Sequence, residues 1–206
     1  AGKTQTEIIS RVVDAFSVEV AGEAQVNTTD EGTQHSAQVA ASDTQFVVTW
    51  LSGVAGTRDV YAQVLDQEGD PIGDEITVAD APGADELDQA VAMRGDGGFA
   101  VIWEVDPFDT DTSILRNHYD ADGALLTGGL PLHQVLDEAQ SDPALAITPG
   151  GTYVAAWVQT SASSDALYVM SFDEEGVGTP ESVVVEGAGT LSNPSLAFGE
   201  VGYGLV

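Results

Sequence analysis

The chain has 206 residues, with 34 acidic and 5 basic side chains, a formal net charge of −29 and no cysteine. So few Lys and Arg exclude a nucleic-acid binder working by phosphate neutralisation, and the charge disfavours an anionic membrane surface as partner. An apolar share of 43% is too high for a disordered acidic tail, and no apolar run is long enough to span a bilayer. Without cysteine there is neither a disulfide framework nor thiolate chemistry.

The first predicted strand is Ile8-Ile9-Ser10-Arg11-Val12-Val13-Asp14, followed by a turn in which Ser17 stands where the later copies have glycine, so that turn is expected to differ, and a short run Glu23-Ala24-Gln25-Val26. Then Val39-Ala40 precedes Phe46-Val47-Val48-Thr49-Trp50, and Val60-Tyr61-Ala62-Gln63-Val64-Leu65-Asp66 leads through Gly69 to Glu75-Ile76-Thr77-Val78. The same series returns as Val91-Ala92, Phe99-Ala100-Val101-Ile102-Trp103, Ile114 to Asp120 with Gly123, and Leu132-His133-Gln134-Val135. It returns again as Leu145-Ala146, Tyr153-Val154-Ala155-Ala156-Trp157, Leu167 to Asp173 with Gly176, and Ser182-Val183-Val184-Val185. A last copy starts at Leu196-Ala197 and runs to Val206. Trp50, Trp103 and Trp157 are 53 and 54 residues apart, and Asp66, Asp120 and Asp173 are 54 and 53 apart.

Each full unit thus holds four short β-branched and aromatic runs separated by Gly, Asp, Ser and Pro, the pattern of antiparallel strands on tight connections. The Asp-x-x-Gly element suits a hairpin, because glycine takes positive φ and aspartate bonds its own following backbone. The fold expected is all-β, with antiparallel four-stranded repeats in a β-propeller-like array; a β-sandwich or β-solenoid is the alternative. The 206 residues read as one repeat domain. Its units are 8–28 (the second half of a unit), 29–80, 81–136, 137–186 and 187–206 (a first half). The two halves could pair within the chain, pair between chains, or belong to a longer array.

These blocks resemble a repeat of very large secreted bacterial proteins, among them RTX-type toxins, adhesins and surface proteins. The resemblance rests on Gln140-Ser141-Asp142-Pro143-Ala144-Leu145-Ala146, Asp96-Gly97-Gly98-Phe99, Val60-Tyr61-Ala62-Gln63 and Gly22-Glu23-Ala24-Gln25-Val26-Asn27-Thr28. It implies an extracellular or cell-surface scaffolding and adhesion module with no common catalytic set. The corresponding expectation is a non-enzymatic module that presents loops to a glycan, a protein or another copy of itself. Two alternatives stand beside it: a self-assembling filament subunit whose half-units complement each other, and a propeller hydrolase or lyase acting on a polysaccharide.

Calcium is the one cofactor suggested. Asp106, Asp109 and Asp111 fall close together on the loop that follows Trp103, and calcium takes six to eight oxygens of this kind. The three histidines, His35, His118 and His133, lack metal-site spacing, and His118 lies inside a strand block. Paired carboxylates can hydrolyse glycosides, but 34 acidic residues make chance pairs common. A hydrolase should instead carry departures specific to one unit, and the loop from Glu104 to Asp111 diverges most. An enzyme should then show converging carboxylates with at least one raised pKa, and a scaffold should show equivalent loops and shallow faces.

Overall fold

The computed structural model describes residues 6–29, 32–108, 110–133, 138–187, 189–199 and 202–205. All regular structure among them is strand. Three four-stranded antiparallel meanders follow one another. The first contains β3 (Gln34–Ala41), β4 (Gln45–Ser52), β5 (Asp59–Asp66) and β6 (Pro71–Ala79); the second contains β7 (Asp85–Met93), β8 (Phe99–Asp106), β9 (Ser113–Tyr119) and β10 (Leu125–Pro131). The third contains β11 (Ala139–Ile147), β12 (Tyr153–Thr160), β13 (Asp165–Phe172) and β14 (Ser182–Glu186). Two-stranded sheets flank them, β1 (Ile9–Val13) with β2 (Glu19–Gln25), and β15 (Leu196–Gly199) with β16 (Gly202–Leu205). Among the described residues these two half-sheets are separate and do not pair with each other.

The first strands of successive sheets touch, β3 against β7, β7 against β11 and β11 against β15, while the last strands lie at the periphery, where β14 is exposed along its whole length. This is the radial arrangement of propeller blades. The core accordingly lies between sheets. Val47, Val60, Ala62 and Val64 of the first blade meet Phe99, Val101 and Trp103 of the second. Ile102 and Ile114 of the second meet Tyr153, Trp157 and Phe172 of the third. The half-sheets close the two ends the same way, Ile8 and Val26 on Trp50, and Leu196 and Phe198 on Val154 and Ala156. Each tryptophan therefore faces the preceding blade. Trp50 stacks on Tyr61 at 6.1 Å between centroids and Trp157 on Tyr168 at 5.7 Å.

The hairpin reading holds in detail. Oδ1 of Asp66 accepts from the amides of Glu68 and Asp70, and Oδ1 of Asp120 from those of Asp122 and Ala124. Asp173 accepts from Val177. Gly69, Gly123 and Gly176 have φ of 86°, 84° and 81°. The first turn has the same shape without glycine: Asp14 accepts from Phe16 and Val18, and Ser17 takes φ 61°.

Candidate active site

The first strand of each four-stranded blade carries a bulge near its start. The ladder slips between His35 and Gln38, Leu87 and Ala90, and Ser141 and Ala144. Within each slip one residue takes the left-handed conformation: Ser36 at φ 56°, Asp88 at 38° and Asp142 at 53°. Asn193, just before β15, matches them at 51°. A bulge re-aims its side chain, and here four polar residues recur at the same level beside the axis. Three of them, Asp88, Asp142 and Asn193, border a cleft of about 200 Å³ together with Gln38, Gln89 and Pro143. Gln89 Nε2 donates to the Ser36 carbonyl and ties two of the bulges together.

Behind this cleft stands Glu104. It follows Trp103 in β8, where the other blades place Leu51 and Val158, 3% and 1% exposed. Glu104 is 7% exposed and its cross-strand neighbours are Leu87 and Ile114. A carboxyl has thus replaced a core aliphatic in one blade alone. Burial pushes it up, the Asp88 charge adds to this, and Asp142 and Asp106 push the same way; the Asp142 amide opposes them by hydrogen bonding. The outcome is a pKa of about 7.

A second acidic group lies nearby at the start of β7. Asp85 accepts from the amides of Gly56 and Arg58, each at 2.8 Å, and from Arg58 Nε at 3.0 Å. Burial alone would raise its pKa, but these bonds and the guanidinium outweigh it and hold Asp85 at about 2. Arg58, whose charge also interacts with Asp88 and Glu104, is thereby occupied. Glu86 next to it is fully buried and occupies the register held elsewhere by Gln34 and Gln140. Its Oε1 accepts from the Ala81 amide at 3.2 Å, and burial pushes its pKa to about 7. A protonated Glu there has the shape and donor of a glutamine. The backbone does the same work in both blades: Glu86 N donates to Arg58 O, and Gln140 N to Thr112 O, each at 3.0 Å. Glu86 is a structural acid; Glu104 lies behind the cleft wall, within electrostatic reach of Asp88 and hydrogen-bonded by the Asp142 amide.

Of the three sequence-predicted metal ligands, the structure places two. Asp106 Oδ1 accepts the Phe108 amide at 2.9 Å in a turn, Asp111 is exposed, and Asp109 lies outside the described residues. Among the described residues no three carboxylates or histidines are grouped to hold a metal ion. Trp50, Trp103 and Trp157 are inter-blade core, at most 4% exposed, and contribute no ring to the cleft. His118 packs edge-on to Tyr153 and Phe172, and burial pulls its pKa down to about 4. Sequence reasoning named Glu104 only as the first residue of a divergent loop. The signal was the position after each tryptophan, which reads Leu51, Glu104, Val158.

The chain matches no family model and no curated protein. Among solved structures it is similar to a Hadza microbial sialidase, with TM-score 0.58 and 10% identity over 79% of this chain and 39% of the sialidase. It is also similar to an ulvanlyase, a polysaccharide lyase, with TM-score 0.54 and 10% identity over 84% of this chain and 49% of the lyase. A third is the subtype N10 neuraminidase-like protein of A/little yellow-shouldered bat, with TM-score 0.53 and 12% identity over 84% of this chain and 50% of that one. At such identity the likeness establishes the fold, and the chain spans half or less of each of these proteins. The expectation of a non-enzymatic adhesive scaffold is corrected: the fold's neighbours include a sialidase and a polysaccharide lyase, and one blade departs from its repeats to place a near-neutral carboxyl among other carboxylates.

Proposed function

We propose that this chain forms part of a carbohydrate-active propeller that cleaves a glycan at the axial cleft. Glu104 is the proton donor, and Asp88 and Asp142 supply the partner carboxylate. The observation that carries this reading is Glu104 itself, a buried carboxyl in an aliphatic register whose pKa of about 7 keeps a proton available near neutrality. Glycoside hydrolysis needs one protonated carboxyl to protonate the leaving oxygen and a second to act as base or nucleophile. Asp88 is exposed at the cleft wall and Asp142 is half-buried there, so both are open to a substrate that reaches Glu104. The only guanidinium beside the cleft among the described residues, Arg58, is held by Asp85. The acidic wall therefore suits a neutral glycan better than a polyanion.

The test is release of reducing ends from neutral polysaccharides, with ultraviolet detection of unsaturated uronate on anionic ones as the lyase control. Glu104→Gln is expected to lower cleavage at least ~100-fold while the protein stays folded. The wild-type rate should fall as pH rises through about 7, because the acid loses its proton. Cleavage unaffected by Glu104→Gln, or absent from every polymer, overturns the reading.

A further inference from the structure

Strand β9 departs from its repeats at two more positions. Where β5 sends Ala62 and Val64 towards the next blade, β9 sends Arg116 and His118. Arg116 is 4% exposed and its guanidinium carbon lies 4.5 Å above the Phe172 ring centroid. Nη2 donates to the Gly176 carbonyl at 2.9 Å, Nη1 meets only Met170 Sδ at 3.7 Å, and Nε has no partner. Among the described residues no carboxylate is within ion-pair distance, in a chain with 34 acidic side chains. Both ring nitrogens of His118 are also unpartnered. Removing a cation from water is costly and depresses the Arg116 pKa, while the more distant Asp173 charge pulls it back up.

Arg116 also lines a cavity of about 590 Å³ between the second and third blades. The rest of its wall mixes apolar Leu130, Pro131, Leu132, Met170 and Pro180 with polar groups such as Thr179. The one carboxylate on that wall, Glu181, is bonded to His133 Nδ1 at 2.7 Å. We propose that this cavity is a binding site for an organic monocarboxylate, its carboxylate on Arg116 and its apolar body against the leucine and proline wall. Such a ligand supplies the missing counter-charge and covers apolar surface in one step. The site is separate from the axial cleft, shares no lining residue with it, and does not depend on the glycan reading.

The test uses sodium benzoate as probe, with sodium chloride at matched ionic strength and benzyl alcohol as controls. Benzoate is expected to raise the melting temperature saturably beyond both controls, since a ligand of the native state alone stabilises it. Arg116→Met, which supplies the apolar character of the sister blades, is expected to weaken benzoate binding roughly 100-fold. It should also melt at or above the unliganded wild type, whereas a purely structural arginine would leave the variant less stable. Benzoate no better than chloride, or equally effective on the variant, overturns the proposal. If Arg116→Met does not fold, the wild-type methyl signal of Met170 and amide of Thr179 decide: saturable shifts with benzoate support the site, and unchanged signals overturn it.

Discussion

The two inter-blade interfaces share one backbone and differ in chemistry. Between the first and second blades, β5 presents Val60, Ala62 and Val64 to Phe99, Val101 and Trp103, all buried and apolar. Between the second and third, β9 presents Ile114, Arg116 and His118 to Tyr153, Trp157 and Phe172. The register, the tryptophan seat and the turn are alike, so the polar side chains are not needed to build a blade. Glu104 makes the same point one strand earlier, against Leu51 and Val158. Equivalent positions fix the scaffold; departures in the second blade mark where it accepts a destabilising group, with Arg116 lining one cavity and Glu104 lying behind the axial cleft.

The largest expected effect comes from moving a departure to the other interface. Val64→His puts an imidazole into a wholly apolar contact and is expected to destabilise by about 3–5 kcal/mol in denaturant unfolding. A loss below about 1 kcal/mol would mean that the two interfaces tolerate polarity alike.

Next are the two raised carboxyls. Folded pKa values of about 7 for Glu86 and Glu104 exceed the ordinary 4.5. Stability from their protonated forms is therefore full below pH 4.5 and lost as pH rises through about 7. Glu86→Gln and Glu104→Gln should each flatten that decline, with a gain of up to about 3 kcal/mol above the upper limit. Cleavage separates them: Glu86→Gln should retain it and Glu104→Gln should lose it. Equal losses of activity would remove the distinction between the structural and the cleft acid.

His118→Val restores the residue that β5 carries at Val64. Removing two unpartnered ring nitrogens should stabilise by about 1–2 kcal/mol at neutral pH. The folded pKa of His118, about 4 against an ordinary 6.5, means its neutral form favours folding above pH 6.5, and that contribution is lost as pH falls through about 4. The gain from valine should therefore widen in acid, which a melting series across pH would register.

The smallest change tests the scaffold away from both interfaces. Ser17 holds φ 61° where the other turns use glycine. Ser17→Gly should stabilise by up to about 1 kcal/mol and leave binding and cleavage untouched.

The sequence made the blades legible because their signals are compositional: tryptophan at a fixed period, β-branched runs, and Asp-x-x-Gly turns. Ser17 in place of glycine pointed to a different first turn, but Asp14 and the left-handed Ser17 give it the shape of the others. The bulges were not legible, since Ser36, Asp88, Asp142 and Asn193 share a backbone conformation and not a residue type, and no glycine flags them. The cleft was missed for that reason, as it forms where these bulges meet across blades. Asp106 was legible as acidic, but its Oδ1 is engaged in the turn to Phe108. The consequence of Arg116 was hidden as well. An arginine among 5 basic residues in so acidic a chain would be expected to pair with a carboxylate, and only the packing reveals that among the described residues none lies within ion-pair distance, Asp173 acting on it only from farther away.

The most direct test of the proposed catalytic role is an NMR titration of the Glu104 side-chain carboxyl in the folded protein. A midpoint near 7, falling when Asp88 is replaced by Asn, is the expected result, because burial and the Asp88 charge are its two leading causes. A midpoint near the ordinary 4.5, insensitive to Asp88→Asn, would contradict the account.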